Sequence, residues 1–374
     1  MMRDTLGIIF AHERVDAMRE LTAKRTVASV PFGGRYRMID FSLSSMVASN
    51  IKKVGVVTKS DYYSLMEHLG TGKEWDLNRK KGGLSILPPS VDENGGVPDR
   101  SSKIFMLMGI MDYIRNSGSK YVVLTDANLI ANIDFNELLK FHVEKGAYMT
   151  ALYKPNIFDF DKFKGNTFAD VDKDGRIRDV TISQSIQLHS NMLLGAYIIE
   201  RELLEFLMCQ CASHNKYDFE RDILQQMSES LDIYGFEYNG YAERIDSVNS
   251  FFKTNLELLK AETRHNLFHI GNEIITKVHD EVPTEFCENA CVKNSLIADG
   301  CVIDGTVENS VLFRNVKIAK GACVKNCVIM QGAIIGEGAE LEYCITDRLV
   351  NVSKNIRLRG VESYPAVLPK ECKI

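Results

Sequence analysis

Residues 300–341 read G-C-V-I-D-G-T-V-E-N-S-V-L-F-R-N-V-K-I-A-K-G-A-C-V-K-N-C-V-I-M-Q-G-A-I-I-G-E-G-A-E-L. Aliphatic residues recur at intervals of five to six, at Leu296, Val302 and Val307, then at Ile318, Val324, Ile329, Ile335 and Leu341. Glycines punctuate them in G-C-V-I-D-G, K-G-A-C-V and I-G-E-G-A. A sandwich or barrel would show two-residue alternation over longer strands. The observed period is the hexapeptide pattern of a parallel β-helix, in which each short side sends one aliphatic residue into a central stack. Such a domain suits docking or assembly, because its flat sides and open end leave strand edges to be covered.

Upstream of about 285 the pattern changes. The runs L-G-I-I-F (6–10), V-G-V-V-T (54–58), Y-V-V-L-T (121–125) and Y-M-T-A-L-Y (148–153) predict strands buried on both faces. Helices are predicted between and after them, over 38–48, 218–227 and 250–260, and over a segment capped by Asp134 and ended by Gly146. Alternating strands and helices predict a mostly parallel sheet covered on both faces. The chain thus divides into an α/β domain (1–262), a linker (263–286) and the β-helix domain (287–374).

At 374 residues and 45% hydrophobic content the chain is long enough for two cores. A net charge of −5 with mixed signs argues against nucleic acid or an anionic membrane as the main partner. No run approaches the ~20 apolar residues of a membrane span, and the N-terminus lacks a signal-peptide core, so a cytoplasmic protein is expected. Seven of the nine cysteines fall between Cys287 and Cys372, including the C-x₃-C pairs Cys287/Cys291 and Cys323/Cys327. With no histidine nearby to complete a zinc pattern, they read as small thiols packed in a core. His265 and His269 are spaced i, i+4 but lack a third ligand, so surface or packing roles are expected.

The first strand runs straight into F-A-H-E-R-V-D-A-M-R-E-L-T (10–22). A turn there is where α/β enzymes place a glycine-rich phosphate loop, yet no glycine occurs between Gly7 and Gly33. V-P-F-G-G-R-Y-R-M-I-D-F-S-L-S (30–44) and W-D-L-N-R-K-K-G-G-L-S-I-L-P-P (75–89), joined to the β-helix, explain the exception. With F-H-V-E-K-G-A (141–147), Y-D-F-E-R-D-I (217–223) and N-S-F-F-K-T-N-L-E-L-L (249–259), they make the chain resemble the glucose-1-phosphate adenylyltransferase (ADP-glucose pyrophosphorylase) family over essentially its whole length.

The resemblance implies a nucleotidyltransferase-like (GT-A/Rossmann-like) mixed sheet domain followed by a left-handed parallel β-helix. Active members join ATP and glucose 1-phosphate with a glycine loop, an arginine, a lysine and Mg²⁺-binding aspartates. Set against those motifs, the loop glycines become His12, Glu13 and Val15, the arginine Ala17 and the lysine Val27. A β-branched valine does not easily adopt the positive φ open to glycine. Both metal aspartates become asparagines, Asn128 and Asn249. Mg²⁺ typically depends on one or two carboxylates. These losses are worth several kcal/mol each, at about 1.4 kcal/mol per tenfold in rate. Asp126, two residues before Asn128 and on the same strand face, is the one neighbour that could reach a metal; it and Asp246 are read as ordinary solvated or capping aspartates.

Other substrate motifs are also replaced, at Ile110, Met111 and Leu193, while Asp218 and Asp222 persist. Arg35, Lys52 and Lys53 fall where bacterial members carry basic residues for phosphorylated effectors. They are equally consistent with solvated surface and inter-subunit salt bridges. The expectation is a regulatory, non-catalytic subunit without a cofactor of its own. Its partner would be a catalytic adenylyltransferase subunit that carries Mg²⁺, in a hetero-oligomer that the resemblance implies is a tetramer. A weakly active adenylyltransferase and a stand-alone sugar-phosphate sensor are the alternatives. A β-helix acyltransferase is disfavoured, because the last histidine, His279, precedes the repeats.

Overall fold

The computed structural model describes residues 4–11, 16–58, 61–88, 102–159, 162, 164–268 and 272–374. The four apolar runs form strands Thr5–Phe10, Lys53–Val57, Tyr121–Asp126 and Met149–Lys154, and the first and third are buried at every position. They belong to a nine-stranded sheet. Thr5–Phe10 lies parallel between Tyr121–Asp126 and Lys53–Val57, and Lys53–Val57 pairs with Gly83–Leu87. The sheet is mixed, because Asn191–Glu200 runs antiparallel to Tyr121–Asp126, Met149–Lys154 and Thr167–Val171. A register shift in Asn191–Glu200 falls between Leu193 and Tyr197 and contains Gly195 at φ +72°.

Phe10 is in register with Asp126, so the first loop and the Asp126–Asn128 turn leave the carboxyl edge of the sheet side by side. In α/β sheets that edge is where ligands bind. Helix Phe135–Lys145 starts where Asp134 accepts from the Asn136 amide at 2.8 Å, and ends at Gly146 in the left-handed conformation. Helix Val248–Glu257 begins with a capping box between Ser247 and Ser250. The segment predicted as a helix over 218–227 is a π-helical turn, Phe219–Gln225, capped by Asp218.

His142, on the buried face of its helix, is 2% exposed and its Nδ1 lies 2.9 Å from the Thr150 hydroxyl. Burial, and secondarily Lys120, lowers its pKa to about 4. The folded chain therefore keeps it neutral at pH values where the unfolded chain protonates it. Stability is retained above the ordinary histidine value and falls as the pH drops toward 4. Acidification from pH 7 to 5 will remove about 2 kcal/mol through this residue, and urea unfolding of His142→Gln will lack that component.

The helix Ala261–Phe268 straddles position 262, and the first β-helix strand, Glu285–Phe286, starts just before 287. Three five-stranded parallel sheets then form a triangular prism. Its interior holds three ladders, Ile303–Ile318–Ile335–Val352, Val307–Val324–Leu341–Leu358 and Ile297–Leu312–Ile329–Thr346. Val302, expected in the stack, is half-buried, and Ile303 beside it points inward. Neighbours in a two-residue strand face opposite sides, so a period read to within one residue can select the wrong member. Corners at Asn294, Asn309 and Asn326 have φ of 42°, 47° and 49°, which asparagine tolerates better than most residues. The expectation of buried thiols holds for Cys301, Cys327 and Cys344, whereas Cys291 is exposed and Cys287 and Cys323 are half-buried. Those three lie on the outer coil or on outward strand positions.

The two domains share one core. Val311, Val328 and Ile345 project outward from the third β-helix sheet and pack with Phe251, Phe252 and Leu258 of the first domain. Among the described residues no helix is long and apolar enough to cross a membrane.

Candidate functional site

At the carboxyl edge, Ala11 and Ala127 are tied to the sheet through Val57 and Phe10. His12, Glu13 and Val15 lie outside the described residues. Ala17 is exposed, in a 3₁₀ segment, Asp16–Thr22, whose Arg19 sits at φ 46°, ψ −123°. The Arg19 guanidinium lies 4.4 Å over the Tyr364 ring and donates to the Pro365 carbonyl at 3.2 Å, directing its charge to the last β-helix coil. Val27, where the resemblance expects a lysine, is 1% exposed and packs with Met18, Phe32 and Phe251. Ile110, Met111 and Leu193 are likewise buried in the core. These replacements have been absorbed into packing.

Asn128 is buried, donates its amide to the Ile245 carbonyl at 3.2 Å and leaves Oδ1 without a partner. Asn249 lies in the first turn of the helix Val248–Glu257, lines the adjoining cleft and also leaves Oδ1 unpartnered. Asp126 Oδ2 receives Lys103 Nζ at 2.9 Å and Arg244 at 3.3 Å. Lys103 Nζ also donates to Glu220 Oε1 at 2.6 Å. Burial alone would discharge Lys103, but Asp126 and Glu220 outweigh it and hold the ammonium well above the ordinary lysine value. Gly195 makes room for this cluster, because a Cβ there would collide with Asp126 Oδ2 and Arg244. The reading of Asp126 as a solvated or capping aspartate is therefore corrected: it is 1% exposed and paired with two cations.

These residues do not fit a divalent metal. The carboxylate beside Asn128 is neutralised, and the two asparagines offer only uncharged oxygens. Asp246 is occupied by Asn166 at 3.2 Å and Ser250 at 3.0 Å. No group of three metal-ligating side chains occurs among the described residues. The adjoining cleft, ≈ 160 Å³, has internally paired charges: Lys162 bonds Glu243 at 2.6 Å and Tyr241 donates to Glu257 at 2.6 Å.

A second cleft, ≈ 90 Å³, opens between the domains and is strongly cationic. Arg35, Arg37, Lys277, His279, Arg314 and Arg348 line it, against the single acid Glu67. Arg37 is held by the Ser64 carbonyl at 2.6 Å and hydroxyl at 2.8 Å. Burial and then the neighbouring Arg348 lower the Arg37 pKa to about 10. Burial and then Arg35 lower that of Arg314. Arg314 Nε and Arg348 Nε are buried without hydrogen-bond partners. Clustered like charges with unused donors suit a small polyanion. At the cleft wall, His68 Nε2 lies 2.6 Å from buried Asp40.

Of the cations expected to bind an effector, only Arg35 lines this cleft. Lys53 donates instead to the Ser117 carbonyl, and the Lys52 carbonyl accepts from Gly83. Sequence reasoning missed Arg314 and Arg348. Their signal was register, since Arg314, Gln331 and Arg348 occupy one corner of three successive coils.

A nucleotidyl transferase family model matches residues 7–260, and a model of the GlmU-like C-terminal hexapeptide matches residues 281–363. The glycogen biosynthesis protein GlgD of Bacillus subtilis is 36% identical over 370 residues, 98% of this chain and 95% of that protein. GlgD of Geobacillus stearothermophilus is 38% identical over 322 residues, 86% of this chain and 83% of that protein. The glucose-1-phosphate adenylyltransferase of Thermosipho africanus is 31% identical over 324 residues, 86% of this chain and 78% of that protein.

Proposed function

Since this chain belongs to the nucleotidyl transferase family of glucose-1-phosphate adenylyltransferases and GlgD glycogen biosynthesis proteins, we propose that it is a regulatory, non-catalytic subunit of ADP-glucose pyrophosphorylase. The observation that carries this reading is the state of Asp126. Among the described residues the carboxylate beside Asn128 is bound through Oδ2 to Lys103 and Arg244, while Oδ1 has no partner. With Asn249 also uncharged, no described side chain at the sheet edge offers an unpaired carboxylate for Mg²⁺ beside a triphosphate. Catalysis then belongs to a paralogous subunit, which brings its own Mg²⁺ and assembles with this chain, as a tetramer by family resemblance.

The inter-domain cleft supplies the regulatory half of the proposal. A sugar bisphosphate or another small phosphate would be gripped by Arg35, Arg37, Arg314 and Arg348, which come from both domains. Binding would therefore change the energy of one domain against the other, and that change is what subunit contacts transmit as a coupling free energy.

The test is ADP-glucose formation by a fixed amount of the catalytic paralogue, with this chain titrated in and a control containing this chain alone. The expected result is a blank control and a paralogue rate or effector midpoint that saturates at a simple subunit ratio. Turnover in the control would support a weakly active adenylyltransferase. A blank control with no effect on the paralogue would support an independent sensor.

A further inference from the structure

We infer that the site at the sheet edge is organised by a built-in ion cluster, Lys103–Asp126–Arg244 with Glu220, in the place of a bound divalent metal. Four separate elements meet in it. Lys103 opens the helix Lys103–Gly109, Asp126 ends a central strand, Glu220 lies in the π-helical turn, and Arg244 ends the strand Ala242–Arg244. The Lys103 ammonium is the hub, 2.9 Å from Asp126 and 2.6 Å from Glu220. It is also 5.8 Å from the Phe10 ring centroid and 5.9 Å from that of Tyr197.

Charge counting decides the occupant. Two carboxylates face two fixed cations, so the cluster is neutral as it stands. A divalent ion would add two positive charges beside Lys103 and Arg244, in a setting too dry to screen them. Here a tethered ammonium orders the four elements permanently, so the chain reaches its assembly-competent form without metal or nucleotide. This inference shares the non-catalytic reading of the site but is tested separately from it.

Mn²⁺ is titrated into the full-length chain by electron paramagnetic resonance, and melting is followed in EDTA and in Mn²⁺. The expected result is no bound Mn²⁺ that Asp126→Asn removes, and the same melting temperature in both buffers. Mn²⁺ bound at this site, with a higher melting temperature, overturns the inference. Lys103→Met tests the hub, since it leaves two carboxylates against Arg244 alone. Its melting temperature should fall by about 5 °C in EDTA and partly recover in Mn²⁺. Lys103→Arg, which keeps the charge, should lose less.

A Lys103→Met chain that melts like the parent overturns the inference. A Lys103→Met chain that fails to fold while Lys103→Arg folds supports it. Mn²⁺ bound by a chain that still makes no ADP-glucose would remove the ion cluster and leave the regulatory reading intact. Turnover by a metal-free chain would do the reverse.

Discussion

Asp347→Ala will lower the unfolding free energy by about 3–5 kcal/mol. Asp347 leaves the last turns of the β-helix and meets Arg25 of the first domain, with both oxygens 2.9 Å from one guanidinium nitrogen. Both side chains are buried, at 7% and 3% exposure. Burial pushes the Arg25 pKa down and Asp347 pulls it back up. Removing the carboxylate strands a charge that has little else to bond except the Leu21 carbonyl at 2.9 Å. The penalty comes from that stranded charge, more than from the worth of the pair. Arg25→Met combined with Asp347→Leu should therefore recover most of the loss in urea unfolding. A double variant as unstable as Asp347→Ala would refute this account. Because the ion pair spans the domain boundary, limited proteolysis of Asp347→Ala should also cut within the linker faster than in the parent.

Arg348→Ala together with Arg35→Ala will weaken binding of fructose 1,6-bisphosphate or inorganic phosphate by about 100-fold or more in calorimetry. Each lost charge-assisted hydrogen bond is worth about 1.5–3 kcal/mol. Arg348 contributes an unpartnered buried Nε, and Arg35 stands exposed at the cleft with its ring neighbour Tyr36 at 5.7 Å. The same change removes Arg348, which lowers the Arg37 pKa, and Arg35, which lowers that of Arg314, so the apo variant should melt no lower than the parent. Lys52→Ala with Lys53→Ala, neither of which lines the cleft, should leave phosphate affinity within about twofold, since charges outside it make no hydrogen bond to the anion and are screened by salt. Equal losses from both pairs would move the binding site to the amino edge of the sheet beside Lys52.

Much of this was legible beforehand. The strand runs declared themselves because burial on both faces requires an unbroken apolar run, as in Thr5–Phe10 and Tyr121–Asp126. The uncharged residues at Asn128, Asn249, Ala17 and Val27 were equally readable, because charge and size are properties of each residue taken alone. Less legible were positions whose side chains must choose between two faces. Val302 and Ile303 are both aliphatic, and only the register with Ile318 shows which enters the stack.

The sequence by itself determined the two architectures, their order along the chain and the identity of Asn128 and Asn249. All of these are written in residue identity and in periods a few residues long. Only the tertiary structure decided that Asp126 is bound to Lys103, 23 residues away, and that Lys103 reaches Glu220 across 117 residues. It alone brought Arg314 of the β-helix against Arg35, 279 residues earlier. Such meetings leave no periodic trace, because they are set by how the sheet, the helices and the prism pack against one another rather than by any property of neighbouring residues.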